Sequence, residues 1–341
     1  MAAPVLTSAQ SSLRLDVADP GMVLVAQQHA RRIGALAGLD EAGADAAALA
    51  TAELAGNAQR HGAGGQLVLQ PAAEDGALDV VAIDRGQGVE DWARSFTDGY
   101  STTAGSLGAG LGSVGRAATA VDGATDTGGT VVAARIGRAG DSARVGALGC
   151  PRRGEQANGD AWGWSVEGEE VFAVLADGLG HGPLAAAASA RAVERIDELA
   201  RLPLVEALQR VHERLRGTRG AAVTVVRLRP ARSGNGAELL SAGIGNVAAA
   251  VVTADGAVQR TLIGHGTAGL VIRRPVETLT TVPAEGVVVL HTDGLLSSWD
   301  LRGRGRALTS RPATVAGVLL RDQERGSDDV GIVVLRPSAA R

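Results

Sequence analysis

The chain alternates between short apolar runs of strand length and longer alanine-rich stretches with helical spacing. In the first third this pattern predicts strands at 12–17, 66–70 and 78–83, and helices at 21–36 and 44–60. A loop rich in Ser, Thr and Gly follows at 91–105, and it leads into an alanine-rich helix and a strand that starts near Thr130. Helices and strands in this mixture predict an α+β fold.

The remainder of the chain is richer in strands. It begins after a short, polar, glycine-bearing linker at 137–142, and its apolar runs predict strands at 143–148, 221–228, 238–243, 246–253, 258–263, 286–291 and 330–335. Helical spacing predicts helices at 183–200, 203–216 and 312–321. We therefore predict two domains, residues 1–137 and residues 143–341.

Several aspartates stand where an apolar run meets a loop. Asp177 and Asp293 each end an apolar run and precede a glycine, whereas Asp160 and the pair Asp328–Asp329 precede other apolar stretches. Mg²⁺ and Mn²⁺ take oxygen ligands, so several carboxylates are needed for one site. Asp-Gly at a strand end is usually only a turn. The prediction of a metal site therefore depends on all these aspartates together.

The segments ADGLGHGPLA, TDGL and DDVGIVVL follow a GD pair in this order. This order resembles the metal-dependent protein phosphatases of the PPM superfamily, and within it the RsbX and SpoIIE branch, over about residues 143–336. The resemblance implies an α/β/β/α sandwich. It also implies two Mn²⁺ or Mg²⁺ ions, which bridge a water or hydroxide that attacks phosphorus directly.

The same resemblance implies a role for each carboxylate. Asp177 would bridge the two ions and is the central catalytic residue of this half. The other metal ligands would be Asp160, the carbonyl of Gly178, Asp293 and Asp328.

Three positions nearby are less well determined by the resemblance. Asp329 is the alternative to Asp328 as a ligand. His181 is either a proton donor or a structural residue. Gly331 stands where relatives often carry a small hydroxyl residue, and this departure leaves the packing of the metal site open.

The first third carries its own ordered motifs: ELAGNAQRHG, DRGQG, GSLGAGLGSVGR and GGT. Glu53 and Asn57 are four residues apart, so they share one helix face. Glycines ahead of a helix let backbone N–H groups approach phosphate oxygens. The order of these motifs resembles the GHKL ATP-binding fold, and DGYSTTAGSLGAGLGSVGR is similar to the RsbT branch of serine kinases. The resemblance covers about residues 13–136 and implies an N-terminal α/β sandwich.

This second resemblance implies a site for ATP with Mg²⁺. Asn57 would ligate the ion and Asp84 would accept the adenine amino group. Glu53 would be a general base or a water-orienting carboxylate for phosphoryl transfer, and its alternative is an ordinary carboxylate on a helix surface. The other nucleotide-binding residues would be Gly86, Gly88, Gly105, Gly108, Gly110, Gly112 and Thr130.

Composition excludes several classes of function. The chain contains no lysine, which rules out a Walker-type phosphate loop and a eukaryotic-type protein kinase. The formal net charge of −4 gives no electrostatic case for nucleic acid. A single cysteine, Cys150, fits a reducing compartment. With neither a signal-peptide pattern nor an apolar run of membrane length, we expect a cytoplasmic protein without a membrane partner.

Together the two resemblances imply a bacterial partner-switching regulator. Its phosphatase half would dephosphorylate phosphoserine or phosphothreonine on a STAS-type anti-sigma antagonist, and its RsbT-like half would phosphorylate the same kind of partner. One alternative is a phosphatase with a non-catalytic nucleotide sensor, and another is a non-enzymatic partner-switching adapter. The sequence leaves the oligomeric state open, with a homo-oligomer among the options.

Overall fold

The structure is a computed structural model that describes residues 12–62, 64–72, 76–89, 92–95, 110–232, 235–273 and 275–338. The described helices are α1 (Pro20–Leu36), α2 (Glu41–His61), α3 (Trp92–Ser95), α4 (Gly110–Ala117), α5 (Pro183–Val193), α6 (Ile196–Ala200), α7 (Leu204–Leu215), α8 (Gly305–Thr309) and α9 (Pro312–Gln323). The described strands are β1 (Leu13–Val17), β2 (Gly65–Pro71), β3 (Ala77–Asp84), β4 (Ala120–Asp126), β5 (Gly129–Gly137), β6 (Val145–Cys150), β7 (Asp160–Glu167), β8 (Glu170–Gly178), β9 (Ala221–Pro230), β10 (Ala237–Ile244), β11 (Ala248–Val252), β12 (Val258–Arg260), β13 (Gly266–Thr267), β14 (Val271–Ile272), β15 (Thr278–Val282), β16 (Val287–His291) and β17 (Val330–Leu335).

The chain divides into two compact units, which we call the N-terminal and the C-terminal unit. The N-terminal unit consists of Ser12–Ser142 together with Ala313–Asp322. The C-terminal unit contains Ala143–Pro312 and the chain from Gln323 onward. Among the described residues no helix is both long and apolar enough to span a membrane.

The N-terminal unit is built on an antiparallel sheet with strand order β1-β2-β3-β5-β4. Helices α1 and α2 share one apolar core with alternate residues of the sheet, including Val80 and Val132. Both helices start at an aspartate, because Asp19 and Asp40 accept hydrogen bonds from backbone N–H groups of the first turn. The sheet and its two long helices confirm the predicted mixture of helices and strands here.

The other face of this sheet is also apolar, and α9 packs on it. A Cβ added at Gly317 would lie 2.6 Å from Val131 Cγ1 and 3.2 Å from Val81 Cγ1, so the helix lies close against β3 and β5. The sequence places this helix in the C-terminal domain, whereas its contacts place residues 313–322 in the N-terminal unit. Strands β3 and β5 are buried on both faces and therefore need a second cover.

The C-terminal unit contains two five-stranded antiparallel sheets, in the orders β15-β10-β9-β8-β7 and β12-β11-β16-β17-β6. One apolar core includes residues of both sheets, such as Val174 of β8, Leu290 of β16 and Val333 of β17. Helices α5 and α7 pack on the first sheet. This arrangement matches the predicted sheet-on-sheet sandwich and its first helical layer.

Two local predictions differ from the structure. The helix predicted at 183–200 is broken into α5 and α6, because Glu194 is extended and Arg195 has a left-handed φ of 51°. Strand β4, which follows α4 and pairs with β5, is not among the strands predicted from the sequence.

Candidate functional site

A buried aspartate, Asp160, and a half-buried one, Asp177, lie opposite each other on β7 and β8. Asp160 begins β7, Asp177 is the next-to-last residue of β8, and the strand register pairs them directly. Asp160 Oδ2 accepts a 2.8 Å hydrogen bond from the Thr292 hydroxyl. Its Oδ1 is buried and has no hydrogen-bond partner among the residues that the structure describes. A buried carboxylate oxygen without a donor is unfavourable, and a cation would satisfy it.

Three further carboxylates gather round this pair. Burial, followed by the charges of Asp293, Asp328 and Asp329, raises the pKa of Asp177 to about 7. Burial and then the charge of Asp177 raise the pKa of Asp160 well above its usual range. Like charges in a poorly solvated site favour bound protons or a bound cation. The donor set, all carboxylate oxygens, suits Mg²⁺ or Mn²⁺.

The carboxylates are near one another but do not form a closed coordination shell. Across the described part of the chain, no group of three or more His, Cys, Asp or Glu side chains is arranged to hold a metal ion. A binuclear centre, in which several ligands are shared or completed by water, needs fewer protein ligands round each ion.

The structure separates the roles of the two neighbouring aspartates before β17. Asp329 is 3% exposed, and its two oxygens accept backbone N–H groups of Arg152 and Gly159 at 2.7 and 2.9 Å. Asp328 is half-buried and accepts a hydrogen bond from the Asp329 N–H at 2.9 Å. Asp329 therefore fixes the surrounding loops, and Asp328 is the better candidate ligand.

Gly178 is the last residue of β8, and His181 lies in the loop that follows it. A Cβ at Gly178 would lie 2.1 Å from the Ala185 carbonyl oxygen, so only glycine permits this approach of α5. His181 Nδ1 lies 3.1 Å from Glu155 Oε1, and both side chains are largely exposed. The imidazole is thus held by a carboxylate, which is compatible with both roles considered for it.

Two polar residues near the carboxylates are not among the predicted site residues. Thr292 donates to Asp160 and accepts the Gly331 N–H at 3.0 Å, so its hydroxyl joins two strands of different sheets. Asn246 Nδ2 donates to Asp293 Oδ2 at 2.8 Å. Asn246 stands in the stretch GIGNV, and Thr292 is the residue before the aspartate of TDGL.

Gly331 also has a geometric explanation. A Cβ there would lie 3.1 Å from both Cβ and Oδ2 of Asp160 and 3.0 Å from Leu175 Cδ1. The hydroxyl expected at this position from the family resemblance is absent, and the Thr292 hydroxyl occupies the space between the Gly331 N–H and Asp160.

The N-terminal unit has a second cluster of predicted residues at the C-terminal half of α2. A Cβ at Gly110, the first residue of α4, would lie 3.6 Å from the side chains of Asn57 and Glu53. The helix start and the two polar side chains therefore lie close together. Asn57 Oδ1 accepts a 3.1 Å hydrogen bond from Arg60.

Asp84 ends β3 beside this helix. Its Oδ1 accepts the Gly86 N–H at 2.8 Å, and the strand register pairs Asp84 with Thr130. Burial raises the pKa of Asp84, while hydrogen bonds from the backbone of Gly86 and Thr130 oppose the rise. A Cβ at Gly86 would lie 2.2 Å from the His61 carbonyl oxygen, so the turn needs glycine.

The remaining glycines differ in what the structure describes. Gly88 has a φ of +90°, and a Cβ there would lie 2.3 Å from Thr125 Oγ1. Gly112 is buried inside α4. Gly105 and Gly108 lie outside the described residues, so their role as a lid stays a prediction.

The family model that matches this chain covers part of the C-terminal unit. The family model of Stage II sporulation protein E (SpoIIE) matches residues 167–337, half of the chain. No curated protein sequence matches. A solved structure described as "The bacterial stressosome: a modular system that has been adapted to control secondary messenger signaling" is 26% identical, with a TM-score of 0.50, and the match covers 57% of this chain and 98% of that one.

Two further solved structures are similar at lower identity. RsbX in complex with magnesium is 20% identical with a TM-score of 0.48, and the match covers 57% of this chain and 94% of RsbX. The PP2C phosphatase domain of SpoIIE from Bacillus subtilis, with a fragment of its regulatory domain, is 14% identical with a TM-score of 0.43. That match covers 78% of this chain and 81% of the SpoIIE chain.

The family model leaves residues 1–166 unmatched, so the GHKL assignment of the N-terminal unit stays a prediction. The matched segment contains four of the five gathered aspartates, Asp177, Asp293, Asp328 and Asp329, and much of the sandwich that carries them. The chain belongs to the SpoIIE family and carries its PPM-type protein serine/threonine phosphatase domain.

Proposed function

We propose that the carboxylate cluster is a binuclear metal centre that hydrolyses phosphoserine or phosphothreonine on a STAS-type partner protein. The observation that carries the proposal is the strand-paired Asp160 and Asp177, with a buried Asp160 oxygen to which no described residue donates a hydrogen bond and three more carboxylates beside it. Without metal, bound protons would relieve the repulsion between these carboxylates. Two divalent cations would replace them.

Each residue of the cluster has a definite task in this proposal. Asp177 would bridge two Mn²⁺ or Mg²⁺ ions, with Asp160 and the Gly178 carbonyl on one side and Asp293 and Asp328 on the other. Bound ions would supply Lewis acidity and an activated water for attack on phosphorus. Thr292, Asn246 and Asp329 hold the ligand side chains and loops in place.

The test is phosphate release from a phosphorylated STAS-domain protein in the presence of Mn²⁺. We expect release by the wild-type chain and loss of at least about 100-fold in Asp177→Asn, because a bridging ligand affects both ions. Asp255→Asn is the matched control, since Asp255 lies in an exposed turn next to Thr253. Equal release by Asp177→Asn and wild type would refute the metal centre. Failure on STAS substrates with release from other phosphoproteins would refute the partner assignment.

We propose a second function for the N-terminal unit, the binding of ATP with Mg²⁺ and phosphorylation of the same class of partner. The observation that favours it is the convergence of Glu53 and Asn57 on the N-terminus of α4, near Gly110. In this proposal Asn57 ligates the ion, Glu53 orients or deprotonates the attacking hydroxyl, and Asp84 accepts the adenine amino group.

Formation of ADP that depends on a STAS partner tests the kinase proposal. We expect Glu53→Gln to abolish it while ATP binding persists, with Glu41→Gln, in the exposed first turn of α2, as the control. ATP binding without any partner-dependent ADP would favour a nucleotide sensor. Absence of both ADP formation and phosphate release would favour a non-enzymatic adapter.

A further inference from the structure

Helix α9 is anchored at its C-terminal end by one buried arginine. The Arg321 side chain is fully buried, and its Nη2 donates to both carboxylate oxygens of Asp126 at 2.9 and 3.0 Å. Its Nη1 donates to the Gly129 carbonyl oxygen at 2.9 Å. Charge-assisted hydrogen bonds of this kind are strong, and a buried charge that loses its partner is very unfavourable. The end of α9 is therefore tied to the β4–β5 turn.

This anchor lies on the strand ends that carry two proposed nucleotide contacts. Gly129 directly precedes Thr130, and a Cβ at Gly129 would lie 2.0 Å from the Asp84 carbonyl oxygen. The Arg85 side chain donates to the Arg321 carbonyl oxygen. Because Arg321 is hydrogen-bonded to Gly129 and Arg85, the neighbours of Thr130 and Asp84, we expect a backbone displacement at Asp84 or Thr130 to displace Arg321 as well.

The rest of α9 follows the same sheet. Thr314 Oγ1 donates to Asp122 Oδ2 at 3.2 Å, and Gly317 lies against Val131. The helix is consequently fixed to β4 and β5 at both ends and at its middle. We expect it to move with these strands as one body.

The chain that leaves α9 leads directly to the metal carboxylates. Residues 323–325 are hydrogen-bonded to the loop after Asp293, through the Leu296 N–H to the Gln323 carbonyl at 2.8 Å and the Arg325 N–H to the Gly294 carbonyl at 2.9 Å. Asp328 follows after two more residues. We therefore expect a displacement of the C-terminal end of α9 to change the positions of both Asp293 and Asp328.

We propose that α9 couples the nucleotide site at Asp84 and Thr130 to the metal centre, so that an adenine nucleotide and Mn²⁺ bind with positive cooperativity. This inference rests on the proposed nucleotide-binding function of the N-terminal unit. A nucleotide held at Asp84 and Thr130 fixes the strand ends that hold Arg321. The fixed helix end then orders the segment leading to Asp328. Because coupling between two sites is reciprocal, a filled metal centre must tighten nucleotide binding by the same factor.

The reciprocal effect gives a test that needs no catalytic activity. ADP binding to the full chain is measured by calorimetry in excess Mn²⁺, for wild type and for Asp177→Asn, whose metal centre is disabled. Both proteins meet the same Mn²⁺–ADP mixture, so chelation in solution cancels. We expect ADP to bind wild type at least about fivefold more tightly, the lower end of usual coupling. Asp255→Asn should match wild type.

The route through α9 is tested in the same titration. Asp126→Asn keeps hydrogen-bonding capacity but removes the carboxylate charge that ties Arg321 to the β4–β5 turn, whereas the other carboxylate paired with Arg321, that of Asp322, lies on α9 itself. Arg321→Ala removes the anchor completely. In each of these two backgrounds, we expect adding Asp177→Asn to change the ADP affinity by less than about twofold, with ADP still bound. Asp126→Asn keeps the test decisive if Arg321→Ala does not fold.

Three results would overturn the inference, and they are distinguishable. Equal ADP affinity of wild type and Asp177→Asn would remove the coupling but leave nucleotide binding intact. A difference that persists in the Asp126→Asn background would remove α9 as its route. Absence of ADP binding in all chains would remove the nucleotide function itself and the inference with it.

Discussion

At the scale of single residues, the properties of Asp177 are set by its neighbours. It lies opposite Asp160 and close to three more carboxylates, and burial is the largest cause of its raised pKa. A group with a pKa of about 7 is protonated in the metal-free protein below that pH and ionised above it. Mn²⁺ must displace this proton, so metal binding and proton release are linked.

We therefore predict that the affinity for Mn²⁺ falls as the pH is lowered through about 7. With one proton displaced from Asp177, the apparent affinity should fall about tenfold between about pH 8 and about pH 6. Calorimetric titration of the metal-free protein in two buffers at each pH measures both the affinity and the number of protons released. A pH-independent affinity without proton release would contradict the assigned ligand.

The contacts of Thr292 allow a second prediction, on metal affinity and stability. Its hydroxyl donates to Asp160 and accepts the Gly331 N–H. In Thr292→Val we expect Mn²⁺ affinity to fall roughly tenfold and the free energy of unfolding to fall by about 1–3 kcal/mol, because both groups lose a buried partner. Thr292→Ser keeps the hydroxyl and should restore metal affinity. Unchanged affinity in the valine variant would show that Asp160 needs no such support.

These residue-level contacts also show what the sequence could and could not predict. Asp160, Asp177, Asp293 and Asp328 could be predicted, because each stands beside an apolar run in a recognisable order. The contributions of Thr292 and Asn246 could not. They depend on the approach of loops from two sheets, and no local pattern encodes that approach.

At the scale of elements, α5 begins at Pro183, shortly after Asp177, and packs against the end of β8. The contact is tightest at Gly178, where no space exists for a side chain beside Ala185. The position of the Gly178 carbonyl and the start of α5 therefore depend on each other.

We predict that Gly178→Ala destabilises the protein by about 3 kcal/mol and abolishes tight Mn²⁺ binding, because its Cβ would overlap a backbone oxygen. Gly305→Ala is the control, since a Cβ there meets nothing within 4 Å. Thermal unfolding and metal titration of the two variants measure both effects. Equal stability of the two variants would show that the loop after β8 relaxes freely.

The break between α5 and α6 shows a limit of prediction at the same scale. Neither glycine nor proline marks the sequence at Glu194 and Arg195, yet Arg195 is left-handed and the helix stops. Helical periodicity alone predicts one helix through this point. The packing of Ile196 and Leu199 in the core of the C-terminal unit outweighs local propensity.

At the scale of the whole molecule, the two units are not two consecutive stretches of chain. Residues 313–322 of α9 belong to the N-terminal unit, although they lie between β16 and β17 in the sequence. The sequence predicts a helix at this position, and the stretch PATVAGVLL is almost uniformly apolar. Most of these residues are buried. Its attachment to the sheet of the N-terminal unit is set by tertiary contacts that the pattern does not contain.

We predict that residues 1–142 on their own lack a complete fold. A peptide of residues 312–323 should raise their melting temperature by at least about 5 °C, because it covers the face that carries Val81 and Val131. A peptide with Arg321→Ala should raise it less, since it lacks the bonds to Asp126 and Gly129. No effect of either peptide would contradict the role of α9 in this unit.

The stoichiometry of Mn²⁺ binding to the metal-free full chain decides whether the carboxylate cluster is a binuclear metal centre. We predict two tightly bound ions per chain in the wild type. We predict loss of both in Asp177→Asn, because this carboxylate would bridge them, and no change in Asp255→Asn. Absence of tight binding in the wild type, or two ions still bound by Asp177→Asn, would contradict the assignment of the carboxylate cluster as the phosphatase centre.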